Sequence, residues 1–268
     1  MNEFMVQGEE YDKLSKAVFQ MNNGKSDLSR LQCWCQPFVF IPNTDVLKQT
    51  KGGPCGLFAV IQSHIYVARQ RPENINVPVE DILISEILNI FQRVSPDFAF
   101  CTSFDPKHSV ALFQHTQDRD EAFIFIATKN YLKSPQACLL LLISLTFTSA
   151  KMSSSFYRDE PYVFSDKMTT MSFVWLLLNG DNSDEALAII EHNGYVSPTQ
   201  QNIGIRVLKS FDGRTIGVWL NPNANVFVCL QGFHFFTVVV EGNDKLVIID
   251  NYKANTIRTT TKNALGWK

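Results

Sequence analysis

The chain has 268 residues, 45% of them hydrophobic and 12% aromatic, with a formal net charge of −2 and a pI near 6.2. That content builds a sizeable core, and the length fits one large domain or two small ones. The near-neutral balance lacks the basic footprint of a nucleic-acid binder, so nucleic acid is not an expected partner, while peptide or small-protein substrates stay open.

The first ten residues, Met1 to Glu10, are polar and acidic and carry neither the positive nor the apolar region of a secretory signal. Residues 9 to 22 place Tyr11, Leu14, Val18 and Met21 at helical spacing, so an amphipathic helix is expected to open the chain and to stop at Asn22-Asn23-Gly24. A short helix follows around Asp27 to Gln32. Cys33 and Cys35 then flank Trp34, but no second pair with zinc spacing exists. The histidines (His64, His108, His115, His192, His234) show no ligand clustering either. No metal and no cofactor are expected. The six cysteines are too sparse for a disulfide scaffold, and Cys101, Cys138 and Cys229, in apolar surroundings, are expected in the core.

Pro37-Phe38-Val39-Phe40-Ile41-Pro42 reads as a short buried strand bounded by prolines. It delivers the chain to Gln49-Thr50-Lys51-Gly52-Gly53-Pro54-Cys55-Gly56, ahead of an apolar helix from Leu57 to Arg69. Two glycines permit a sharp turn, Pro54 presets φ for helix initiation, and Cys55 falls in the first helical turn. There the helix macrodipole and unsatisfied N–H groups favour thiolate over thiol, the form that attacks carbonyls. Gln49, six residues earlier, can donate its amide NH2 to an oxyanion beside the Cys55 backbone N–H. A free cysteine is more often a small core hydrophobe. Against that reading stand the strict turn chemistry before the sulfur and the glutamine at this offset.

Beyond Arg69, Gln70-Arg71-Pro72 stops the helix, and Val79 to Val94 carries a second helical pattern with Ile82, Leu83, Ile87, Leu88 and Phe91 on one side. Residues 97 to 116 read as irregular with room for a strand pair, and Phe123 to Ala127 as a strand. A buried helix is expected from Ser134 to about Ser153; its greasiest run, Ala137 to Phe147, is too short to cross a bilayer. Helices are expected again over Thr169 to Asn179 and Asp184 to His192. From Ile203 the pattern alternates through Ile205–Leu208, Gly217–Leu220, Val226–Leu230, Phe235–Val240 and Leu246–Ile249, so strands crowd the last third. Helices first and an antiparallel sheet afterwards is an α+β pattern. Papain-like cysteine hydrolases distribute their parts in this way, and one domain over residues 1–268 is expected. The chain is expected to be soluble and intracellular, in the cytoplasm, as a monomer.

A cysteine nucleophile needs a base. His234 alone among the histidines opens a β-run, while His64 lies inside the apolar Cys55 helix, His108 and His115 in the irregular region, and His192 near a helix end. Sixteen residues later Asp250 ends the returning strand, an offset that sets its carboxylate beside the imidazole, where it would hold the ring's tautomer. Asn251 is a second candidate for that role, since a neutral amide can also orient a histidine.

These residues carry a resemblance. Arg30 to Phe40, with Trp34, Gln36 and Phe38, and Leu47 to Gln62, with Q-x-x-G-G-P-C-G over Gln49 to Gly56, resemble the nucleophile region of the MINDY deubiquitinases. Ser134 to Ser144 is similar to the family's buried helix, Leu176 to Gly180 to its L-L-L-T-G turn, and Asn225 to Leu230 and Ile249 to Asn255 to the segments around its histidine. Pro37 and Asn251 stand where the family usually has glycine. The resemblance implies a papain-like fold, with a helical N-terminal part and the nucleophile helix packed on a C-terminal antiparallel sheet. It also implies Cys55 as nucleophile, His234 as base, Gln49 as oxyanion residue, and polyubiquitin linked through ubiquitin's own Lys48 as substrate. Two alternatives stay open: a catalytically idle ubiquitin-binding module, and a thiol hydrolase for another ubiquitin-like modifier.

Overall fold

A computed structural model of the chain describes residues 1–19, 31–150, 164–165, 168–180, 202–209, 217–221, 223–252 and 256–267. The chain opens not on a helix but on strand β1 (Asn2–Gln7), followed by α1 (Gly8–Phe19), which buries Tyr11, Leu14 and Val18 as its spacing predicts. The expected stop at Asn22-Asn23-Gly24 lies outside the described residues. Next come α2 (Leu31–Trp34), β2 (Val39–Phe40) and β3 (Leu47–Lys48). Val39 is exposed, so the expected buried strand is a two-residue edge piece paired with β3. Then follow α3 (Cys55–Arg69), α4 (Val79–Val94), β4 (Phe98–Asp105) and β5 (Val110–Thr116). The strand pair for which residues 97 to 116 leave room is formed, β4 and β5 pairing antiparallel over nearly their full length, so the segment is regular rather than irregular.

Where a strand is expected over Phe123 to Ala127, the chain forms helix α5 (Arg119–Thr128). The Asp118 carboxylate accepts from the N–H groups of Asp120 and Glu121 at 2.8 and 3.0 Å, capping the first turn, and Ala122 and Ile126 bury one face four residues apart. The cap overrides the strand preference of Phe123-Ile124-Phe125-Ile126. Helix α6 (Ala137–Ala150) is buried on every side from Ala137 to Ser149, as a helix apolar around its whole circumference is, with Ser144, Thr146, Thr148 and Ser149 buried among the apolar residues. Short strands β6 (Phe164–Ser165) and β7 (Met168–Thr169) precede α7 (Met171–Asn179), whose first turn is capped by the Thr170 hydroxyl. The helix expected over Asp184 to His192 lies outside the described residues. The remaining elements are β8 (Ile203–Lys209), β9 (Gly217–Leu220), β10 (Val226–Gln231), β11 (His234–Glu241), β12 (Lys245–Ile249), β13 (Ile257–Thr261) and α8 (Lys262–Leu265).

The chain divides into two compact units. The first comprises residues 1–39, 51–54 and 87–183 and is not purely helical: a three-stranded antiparallel sheet, in the order β1-β5-β4, packs against α6. The Ser144 hydroxyl on α6 accepts from the Cys101 N–H on β4 at 2.7 Å, and Tyr131 donates to the Cys101 carbonyl at 2.9 Å. Each is a buried polar group that finds its partner.

The second unit comprises residues 40–50, 55–86 and 184–268. Its sheet runs β13-β12-β11-β10-β8-β9 and is mixed rather than antiparallel, because β10 pairs parallel to β8. Strand β9 returns along the outer edge of β8, and the chain re-enters on the other side of β8, so β10 has to run in the direction of β8. Phe227, Cys229, Phe236, Val238, Leu246 and Ile248 join one apolar cluster of this unit, and Val46, Val226, Val239 and Ile249 another. Helix α3 lies along β11 and β10. Among the described residues no helix is long and apolar enough to cross a membrane.

Candidate active site

Cys55, Gln49, His234, Asp250 and Asn251 all belong to the second unit. Cys55 is the first residue of α3 and is buried. The turn before it holds Gly53 at φ 114°, a left-handed conformation that side chains resist, so the sharp approach to the helix depends on that glycine. Within the first unit, Lys51 to Pro54 are tied down. The Gln36 side chain bonds the Lys51 backbone through both its amide atoms, at 3.2 Å each, and the Gly53 carbonyl accepts from the Thr169 N–H and hydroxyl at 3.1 Å. The ammonium of Lys51 donates to the carbonyls of Gln32 and Cys35 at 3.1 and 2.9 Å. The Cys33-Trp34-Cys35 segment thus serves the loop through its backbone. Among the described residues no three His, Cys, Asp or Glu side chains stand together as metal ligands would.

His234 opens β11, and its Nε2 lies 2.9 Å from Asp250 Oδ1. With Nε2 on the carboxylate, Nδ1 is the other nitrogen of the ring. His234 also stacks over Phe236, two residues along the strand, with centroids 6.0 Å apart. Burial is the largest single influence on the imidazole and pushes its pKa down. The hydrogen bonds and negative charges of Asp250 and Cys55 together outweigh it and raise the value to about 9. The ring is therefore protonated at neutral pH, beside a buried carboxylate and within the influence of the Cys55 sulfur. Such an imidazolium can deliver its proton to a leaving amine.

Asp250, 1% exposed, follows the last residue of β12; its backbone N–H donates to the Thr256 carbonyl at 2.7 Å and its Oδ1 also accepts from the Tyr252 N–H at 3.3 Å. Asn251 has a different task. Its Nδ2 donates to the Leu47 carbonyl at 2.7 Å and to Gln62 Oε1 at 3.2 Å, and its carbonyl accepts from the Gln49 N–H at 2.7 Å. The turn after β12 thus holds His234 through one residue and the backbone of Gln49 through the next. Of the two candidates, Asp250 meets the imidazole and Asn251 meets the loop.

Sequence reasoning missed Gln62, whose Oε1 also accepts from the Leu47 N–H at 2.8 Å and whose Nε2 donates to the Asp45 carbonyl at 3.0 Å, fastening β3 to α3. It also missed Thr237, which donates to the Ala59 carbonyl at 2.9 Å and bonds Ser63 at 3.1 Å, seating α3 on β11 three residues from His234. The signal for both is the consecutive run Gln62-Ser63-His64, polar and buried inside an otherwise apolar helix. Polar side chains in that position need partners. Of the histidines set aside, His64 pairs with Glu86 at 3.3 Å, His108 with Asp105 at 2.6 Å and His115 with Asp97 at 3.6 Å, while His192 lies outside the described residues. Cys101, Cys138 and Cys229 are buried, and burial pushes all three thiols up.

No family model, curated protein or solved structure matches the chain.

Proposed function

We propose that the chain is a papain-like cysteine isopeptidase of the MINDY type, hydrolysing the bond between the C-terminal glycine of ubiquitin and a lysine. Polyubiquitin linked through ubiquitin's own Lys48 is the preferred substrate in this reading. The observation that carries it is the convergence of Cys55, His234 and Asp250, with the sulfur at a helix N-terminus and the imidazole held by a buried carboxylate. The resemblance of Gln49 to Gln62 to the MINDY nucleophile segment supports the choice of ubiquitin over another acyl group.

In this reading the proton of Cys55 rests on His234, and the thiolate attacks the isopeptide carbonyl carbon. The carbonyl π electrons move to oxygen, and the oxyanion is stabilised by the Cys55 N–H and the Gln49 amide. Collapse of the tetrahedral intermediate breaks the C–N bond as the His234 imidazolium protonates the lysine nitrogen. Water, deprotonated by the now neutral His234, cleaves the thioester and returns the site to its starting state.

The test is a panel of di-ubiquitins covering every linkage, incubated with the protein and with Cys55→Ala. Mono-ubiquitin released by the first and not by the second, fastest from the Lys48-linked dimer, is the expected result. Release that survives Cys55→Ala, or no release from any linkage, overturns the reading.

A further inference from the structure

Seven large apolar side chains are exposed among the described residues, and three of them, Phe233, Tyr252 and Ile257, belong to the turns and strand end that carry His234 and Asp250. Phe233 directly precedes the base, and Tyr252 is two residues past the carboxylate. Ile257 follows Thr256, the residue whose carbonyl holds the Asp250 N–H. All three lie at one end of the sheet, where β10 turns into β11 and β12 turns towards β13.

The turns that display them are built for display. Gln231 pairs with His234, so Gly232 and Phe233 form a two-residue hairpin loop, with Gly232 at φ 67°. A loop of this kind places its second residue at the tip, where polar residues are usual, yet Phe233 is 63% exposed. Tyr252 is 51% exposed although its backbone N–H is committed to Asp250. Single exposed apolar residues need no explanation; a group of them at one end of a sheet beside a candidate catalytic pair marks a binding surface.

The chemistry says which part of a substrate meets that surface. In the proposed reaction the acyl carbon bonds to Cys55, while the departing nitrogen must come within hydrogen-bond reach of His234 to be protonated. Side chains on the turns and strand end that carry His234 and Asp250 therefore border the leaving-amine side of the scissile bond. We infer that Phe233, Tyr252 and Ile257 are specificity residues for the amine-bearing half of the substrate, gripping apolar surface of the protein whose lysine is released. This assignment rests on the isopeptidase reading.

The experiment compares two substrates that share the acyl group and differ in the leaving group: Lys48-linked di-ubiquitin and the 7-amino-4-methylcoumarin amide of ubiquitin. The protein and the variants Phe233→Ser, Tyr252→Ser and Ile257→Ser are assayed on both. For Phe233→Ser and Tyr252→Ser, kcat/KM on di-ubiquitin is expected to fall about tenfold further than on the coumarin amide, largely through KM, as loss of an aromatic anchor requires. Ile257→Ser should show a smaller difference of the same sign, and Phe233→Leu should regain much of the lost discrimination. Equal losses on the two substrates, or no loss on either, overturn the assignment while leaving the isopeptidase reading in place. Absence of turnover by the unaltered protein on both substrates overturns the two together.

Discussion

His234 Nε2 lies 2.9 Å from Asp250 Oδ1, and the next residue, Asn251, turns its amide the other way, onto the Leu47 carbonyl 2.7 Å distant. Adjacent residues on one turn thus do separate things. Asp250→Ala should lower kcat on the order of a hundredfold, within the range that positioned acid–base groups contribute, and should also lower the melting temperature, since it strips the imidazole and the Tyr252 N–H of their buried partner. Asn251→Ala should destabilise the fold by about 1–3 kcal/mol, because the Gln62 and Leu47 groups it leaves are buried. Chemical denaturation and steady-state kinetics on both variants check this; kinetic losses in the opposite order would move the orienting role to Asn251.

The pH dependence follows from the same pair. His234 has to be protonated when the amine leaves, and its pKa is raised to about 9, so kcat/KM should decline above about pH 9. Asp250 contributes two of the raising influences, its hydrogen bond and its charge. Asp250→Asn removes the charge, so the alkaline limb should move to lower pH. A pH–rate profile of the two proteins reads the shift, and a limb that stays in place or moves upward contradicts the assignment of His234 as acid.

Gln49→Ala tests the oxyanion site. A donor used only in the transition state acts on kcat, so a loss of about 10²–10³ in kcat is expected with ubiquitin affinity retained. Loss of binding with kcat unchanged would make Gln49 a loop residue, held through its backbone by Asn251.

Thr237→Val probes how α3 is seated on β11. The substitution keeps the volume and removes a hydroxyl bonded to Ala59 and Ser63, which should cost about 1–3 kcal/mol in stability. Because Thr237 lies between the nucleophile helix and the strand of the base, turnover should fall at temperatures where the fold is intact. Stability loss with undiminished turnover would show that the seating does not govern the Cys55–His234 geometry.

What could be read from the sequence was local. The Gly52-Gly53-Pro54-Cys55 turn, the α3 and α4 boundaries, and the positions of β10 to β12 are written in consecutive residues, and the structure forms them there, although β10 and β11 are buried on both faces and do not alternate as expected. The sixteen-residue offset from His234 to Asp250 spans two paired strands and a turn, which brings the side chains together through register alone. What could not be read depends on distant partners. Strand β1 is exposed along most of its length and exists because Val6 is buried and its backbone pairs with β5, from Val110 to His115. The parallel pairing of β8 and β10 is a matter of which side of β8 the chain re-enters, and no local pattern encodes that. Helix α5 was legible in principle, since Asp118 followed three residues later by Glu121 is a capping signal that outranks a short run of β-branched and aromatic residues. Asp250 and Asn251 were indistinguishable in sequence because one residue at the end of a strand decides which side chain meets the base.

The central claim, that Cys55 is the nucleophile of a ubiquitin isopeptidase, is tested most directly by reaction with ubiquitin bearing a C-terminal electrophile, followed by peptide mapping in a mass spectrometer. A single ubiquitin adduct on Cys55 is predicted, with Cys33, Cys35, Cys101, Cys138 and Cys229 unmodified, the last three being buried thiols that resist ionisation. An adduct on any other cysteine, labelling that persists in Cys55→Ala, or no adduct at all would contradict it.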